Sequence, residues 1–240
     1  MQKTNHPKPD THQLFEKHPK QDFQVERIAF FSDAVFAIAI TLLIIDFHPP
    51  HITKESTYND VWREVVEMKY KLGALIVSFV LIISFWRRHH FLFKHVHDYN
   101  TRTIMANMFI LLPIIFFPFT TSFLYESLNG NETALLIPFR LFLINNILAG
   151  ILMYYFYWLI AKKYKQLSYP MTREEQAEFV KNLLLFSGTF LVVFALSFIS
   201  FGKSLWGLLP IALYRFYTRR FKKNKTTPNH HVKQTGGSGH

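Results

Sequence analysis

The chain contains no cysteine, which excludes disulfides, thiolate metal sites and cysteine nucleophiles. It is also short of acid, with 16 Asp and Glu against 27 Lys and Arg in 240 residues. It has no internal duplication, no low-complexity tract and no stretch that reads as a separate soluble domain. A glycine-rich nucleotide loop, a zinc-protease helix and a nucleophile elbow are likewise absent, so the chemistries those motifs carry have no support here.

Apolar residues, in contrast, are plentiful. Half of the chain is hydrophobic and 26 residues are phenylalanine, more aromatic bulk than a soluble core needs. Apolar runs of about 20 residues recur, the length that crosses a bilayer. They predict an all-α integral membrane fold of six segments, roughly 25–47, 71–95, 102–126, 134–161, 181–201 and 204–218. The first run follows a polar tail and lacks a small-residue cleavage site, which predicts a retained helix and not a secretory signal. Pro113 and Pro118 predict a kink in the third segment, and the last is short and carries Pro210. In the long connection from His48 to Tyr70, Trp62–Val66 reads as a short interfacial helix. The domain reading is a cytoplasmic tail over 1–23, a transmembrane domain over 24–220, and a basic tail over 221–240 that ends in a Gly-Gly-Ser-Gly-His expression scar.

The net charge of +11 suggests nucleic acid until its placement is considered. Of the 27 Lys and Arg, only Lys54, Arg63, Lys69, Lys71, Arg140 and Lys203 fall near or in the outer half when the N-terminus is inside. The positive-inside rule then places both termini in the cytoplasm of a multi-pass cell-membrane protein. The basic balance reflects topology, and the partner it implies is the lipid bilayer, not nucleic acid.

The first segment opens with Arg27 and Asp33, and ionisable groups this close to hydrocarbon face protein or water. At about 100° per residue, Ile38, Thr41, Leu42 and Ile45 share an arc of about 100°, with Ala34 inside it and Ala37 just beyond. Asp33 points about 130° from the middle of that arc. Spacing alone fits either a pore wall or an ordinary lipid- or core-facing helix. The Arg27/Asp33 pair likewise reads as a charge-paired structural tie or as a proton or cation site. Partners are available in Ser84-Phe85-Trp86-Arg87-Arg88-His89-His90, where the indole N–H and the imidazoles supply donors.

The pattern Arg27-x-x-x-Phe31-Ser32-Asp33, followed by an Ala/Ile-rich helix bearing Thr41-Leu42-Leu43, resembles the transmembrane protein 175 potassium-channel family. Trp86-x-x-His89 and Asn107…Pro118-Phe119 are similar to further motifs of that family. Animal members carry two such repeats and this chain carries one, as prokaryotic members do. The resemblance implies a homotetramer of six-helix subunits around a central pore lined by the first helix, with no cofactor. It implies constricting layers at Ile38, Leu42 and Ile45 and a hydroxyl ring at Thr41. Potassium would pass along the axis with no fixed ligand set beyond Thr41. Arg27, Phe31, Ser32, Asp33, Trp86, His89 and His90 would form the structural motif behind the pore.

No Thr-Val-Gly-Tyr-Gly loop is present, so carbonyl rings cannot strip the ion of water in the usual way. The expectation is therefore a modestly potassium-selective channel, with proton permeation open. Two other classes compete. A secondary transporter normally shows inverted repeats, and none is seen. A membrane metalloenzyme would draw on His89, His90, His95 and His97, a single dense cluster where di-iron sites use several.

Overall fold

The computed structural model describes residues 19–45, 47, 49, 52–129, 132–200 and 202. Five α-helices run through them: α1 (Pro19–Ile45), α2 (Tyr58–Phe93), α3 (Thr101–Glu126), α4 (Glu132–Trp158) and α5 (Arg173–Leu196). All five are long and apolar enough to cross a membrane. The sixth expected segment, 204–218, lies outside the described residues, as do the 221–240 tail and most of the N-terminal tail.

Two helices begin earlier than hydropathy predicts, for the same reason. Thr57 accepts from the Asp60 amide while Asp60 accepts from the Thr57 amide, a capping box that starts α2 at Tyr58. The expected interfacial helix at Trp62–Val66 and the second segment are therefore one continuous helix of 36 residues. A matching box between Thr172 and Glu175 starts α5 at Arg173, not near 181. Its first turns, Arg-Glu-Glu-Gln-Ala-Glu, are too polar to register in a hydropathy window.

The third helix is central, packed against α1, α2 and α4, and α5 packs against α4 and reaches α2 through Phe179 and Phe186. It runs through both Pro113 and Pro118. A proline removes one backbone donor and crowds the preceding turn, and here neighbouring polar side chains bond to the backbone around the two positions. Asn145 of α4 donates to the Pro113 carbonyl at 2.9 Å, and Thr121 donates to the Phe117 carbonyl at 2.7 Å. Phe85, Phe117, Phe142 and Phe186 meet edge-on or tilted at the heart of the bundle, the geometry their quadrupoles favour.

At one end of the bundle the α2–α3 and α4–α5 connections lock together. Val96 and Ser168 form an antiparallel bridge, and Tyr169 N–H donates to the His95 carbonyl at 2.7 Å. At the other end Lys71 sits 3.5 Å from Glu126. If the bilayer boundary lies at that pair, the first turns of α2 project about 20 Å beyond it.

Candidate functional site

The first helix has two unlike faces. Ser32, Phe36, Ala39 and Leu43 are buried against α2 and α3. On the opposite side Ala34, Ala37, Ile38, Thr41, Leu42 and Ile45 are exposed in the single chain, Ile38 by 57% and Ile45 by 65%. The four residues placed on one arc from the sequence thus share the face that its own protomer does not cover. Within that stripe, Thr41 donates its hydroxyl hydrogen to the Ile38 carbonyl at 2.8 Å. A hydroxyl so committed keeps its lone pairs free as acceptors. On an otherwise apolar stripe it therefore presents oxygen, not hydrogen.

Behind this face, polar side chains join three helices. Trp86 Nε1 of α2 donates to Asp33 Oδ1 of α1 at 2.8 Å. Asn107 of α3 donates from Nδ2 to Ser32 Oγ at 2.9 Å, and its Oδ1 lies 2.7 Å from His89 Nε2. Because the Asn107 amide nitrogen is already directed at Ser32, its oxygen accepts and His89 Nε2 donates. Ser32 passes its own hydrogen to the Ile28 carbonyl at 2.9 Å. The chain His89–Asn107–Ser32–Ile28 is a directed line of hydrogen bonds, buried except at its last carbonyl. Phe36, Phe93 and Phe156 surround the His89 ring, and its Nδ1 has no partner among the described residues.

The remaining motif residues lie apart from this line. Arg27 and Phe31 are exposed, and among the described residues Arg27 has neither an ion pair nor a hydrogen bond. His90 is exposed and stacks on Trp86 with ring centroids 5.5 Å apart. The four clustered histidines are given to four different partners: His89 to Asn107, His90 to Trp86, His95 to the Phe91 carbonyl and His97 to the Tyr169 ring. Among the described residues, no three His, Asp or Glu side chains gather as a metal site.

Asn107 is the node that sequence reasoning left without a role. Its signal was legible: one amide inside the apolar run from Ile104 to Leu112, and a buried amide needs partners. Asn145 and Asn146 on α4 carry the same signal, and Asn145 answers it by bonding to the proline-bearing helix.

The model of the family described as "Endosomal/lysosomal potassium channel TMEM175" matches residues 27–118, from the start of the α1 motif to Pro118 of α3. A potassium channel of Chamaesiphon minutus is 30% identical over 198 residues, covering 82% of this chain and 95% of that protein. One from Streptomyces collinus is 34% identical over 108 residues, covering 45% of this chain, which spans only 51% of that relative's length. The crystal structure of a lysosomal potassium-selective channel TMEM175 homolog from Chamaesiphon minutus superposes with a TM-score of 0.68 at 27% identity, covering 82% of this chain and 98% of that one. With the two-faced first helix and the Asp33–Trp86 contact in place, these likenesses lead to one conclusion: the chain belongs to the TMEM175 family.

Proposed function

We propose that the chain is the subunit of a homotetrameric, modestly potassium-selective cation channel in the cell membrane, with both termini cytoplasmic and α1 from each copy lining a central pore. The transmembrane domain would extend over 24–220 and include a sixth helix at 204–218, flanked by the 1–23 and 221–240 tails. The observation that carries this reading is the stripe on α1. A branched apolar face broken by a single hydroxyl is left uncovered by its own protomer, while the opposite face is tied to α2 and α3. Four such faces around an axis close into a ring of heterologous contacts.

Ile38, Leu42 and Ile45 would then form rings from which water withdraws, an apolar constriction that gates by dewetting. Thr41 lies between the first two, and its inward lone pairs would offer a partly dehydrated cation four oxygens at one level. Ser32, Asp33, Trp86 and His89 would set the pore radius from behind, through the angle at which α1 leans on α2 and α3, with Arg27, Phe31 and His90 beside them. Potassium is the ion named for both bacterial relatives.

The test is flux from liposomes holding the purified full chain, driven by a potassium gradient and run beside sodium, caesium and proton gradients. Potassium flux above sodium, with unitary currents in planar bilayers, supports the channel. Currents carried by protons alone make it a proton leak, and turnover too slow for unitary events makes it a carrier.

A further inference from the structure

At the interlocked end of the bundle, two cations converge on one phenol. Arg102 Nη1 donates to the Tyr164 hydroxyl at 2.8 Å, and Lys163 Nζ stands 5.5 Å from the centroid of the same ring. Like charges brought together raise the electrostatic energy unless an anion joins them. Among the described residues no carboxylate lies within ion-pair range of Arg102, Lys163 or the neighbouring Lys165. Arg102 is, moreover, the second residue of α3, where the helix dipole disfavours a cation. The local structure thus gathers positive charge at a point where no carboxylate among the described residues pairs with it.

The backbone takes part in this. The end of α4 widens into a π-helical turn over Leu159–Lys163, closed by Tyr164 N–H on the Leu159 carbonyl at 2.7 Å. Such turns recur at functional sites. Across it the two lysines part: Lys162 Nζ reaches Gln176 Oε1 on α5 at 2.7 Å, while Lys163 folds back over Trp158 at 5.3 Å. Trp158 stacks on Tyr155 with centroids 6.2 Å apart, and both are exposed. Exposed Trp and Tyr rings beside a helix end mark headgroup depth in a bilayer. Arg102 and Lys163, without an ion-pair partner among the described residues, therefore sit at the level of lipid phosphates, next to rings suited to glycerol and the first methylenes.

We infer that Arg102, Lys163 and the Tyr164 hydroxyl form a binding site for the phosphate of an anionic phospholipid, seated against Trp158. The guanidinium supplies the planar fork that matches a phosphate, Lys163 adds a point charge, and the phenol holds the guanidinium in place. The inference rests on the membrane-spanning reading and not on conduction, so its test measures lipid retention and is blind to ion flux.

Full-length protein in detergent is titrated with phosphatidylglycerol or phosphatidylcholine, and bound lipid per subunit is counted by native mass spectrometry. Wild type is expected to hold phosphatidylglycerol in preference, and R102Q/K163Q to bind it about tenfold more weakly with phosphatidylcholine unchanged. K54Q/K69Q, at the opposite end, is expected to match wild type. Phosphatidylglycerol binding by R102Q/K163Q equal to wild type overturns the site. Inorganic phosphate displacing the lipid at equal concentration overturns a lipid occupant in favour of a soluble anion. If R102Q/K163Q does not fold, Tyr164→Phe gives the same decision: weaker phosphatidylglycerol retention supports the site, and unchanged retention removes it.

Discussion

The indole N–H of Trp86 meets Oδ1 of Asp33 at 2.8 Å, joining the C-terminal part of α2 to the start of the apolar stretch of α1. The carboxylate therefore turns toward its own protomer, away from the stripe of Ile38, Thr41, Leu42 and Ile45. Removing it leaves a half-buried indole donor with nothing to accept it, at a cost of about 1–3 kcal/mol. Asp33→Ala is expected to lower the melting temperature of the detergent-solubilised protein and shift it toward dissociated subunits on size exclusion. Asp33→Asn retains an acceptor oxygen and should lose less. A well-assembled Asp33→Ala protein with altered ion selectivity alone would refute the role of a structural tie.

Asn107 joins Ser32 on α1 to His89 on α2, so replacing it strands the buried His89 Nε2 and removes the donor that ties Ser32 to α3. Asn107→Leu is expected to destabilise the protein by about 3 kcal/mol, more than Ser32→Ala. A double-mutant cycle with Ser32→Ala, followed by thermal melting, measures how much of that loss belongs to the α1–α3 bond.

Helices α4 and α5 approach closely at Gly150. A Cβ added at Gly150 would stand 2.0 Å from Ser187 Oγ and 2.6 Å from Ser187 Cβ. Rotating the hydroxyl relieves the first clash but not the second, so Gly150→Ala must push the helices apart. The expected loss is about 1–3 kcal/mol. Ser187→Ala leaves the Cβ clash in place and should not rescue it. Ser187→Gly removes the clash, and the G150A/S187G protein is expected to regain most of the lost melting temperature.

On the other face of α1, if Ile38 and Leu42 ring the proposed pore, Ile38→Asn or Leu42→Asn replaces an apolar ring with one that water wets, which lowers a dewetting barrier. Monovalent cation leak in reconstituted bilayers is expected to rise severalfold, with assembly on size exclusion unchanged. Conductance equal to wild type in both variants would remove these residues from the constriction.

The start signals of two helices were present in the sequence but faint. Thr57-x-x-Asp60 and Thr172-x-x-Glu175 are capping patterns set in polar surroundings, and a window tuned to hydrophobicity passes over them. Each cap contributes about 1 kcal/mol, so Thr172→Ala should lower stability by that amount and let the first turn of α5 fray, read as faster amide exchange at Glu174–Gln176. The positions of α1, α3 and α4 were legible to within several residues, since a bilayer-length apolar run leaves the backbone no means of satisfying its hydrogen bonds except a helix. The pairing of buried polar groups was not. Trp86, His89 and His90 all sit within reach of the start of α1 on one helix end, and only the rotation of α2 assigns Trp86 to Asp33, His89 to Asn107, and His90 to the surface.

The sequence by itself determined that this protein is helical and membrane-embedded, that it is free of thiol chemistry, and that one face of its first helix carries Ile38, Thr41, Leu42 and Ile45. Those properties follow from composition and from the fixed 100° step of a helix, which need no knowledge of neighbours. Tertiary structure alone decided which face of α1 its protomer covers, which amide links Ser32 to His89, and how Arg102 and Lys163 come to share Tyr164. Such choices depend on how helices far apart in the chain rotate and lean against one another. Rotation is set by how side chains fit across helix contacts, as where small residues let α4 and α5 approach at Gly150 and Ser187, and no local pattern encodes it.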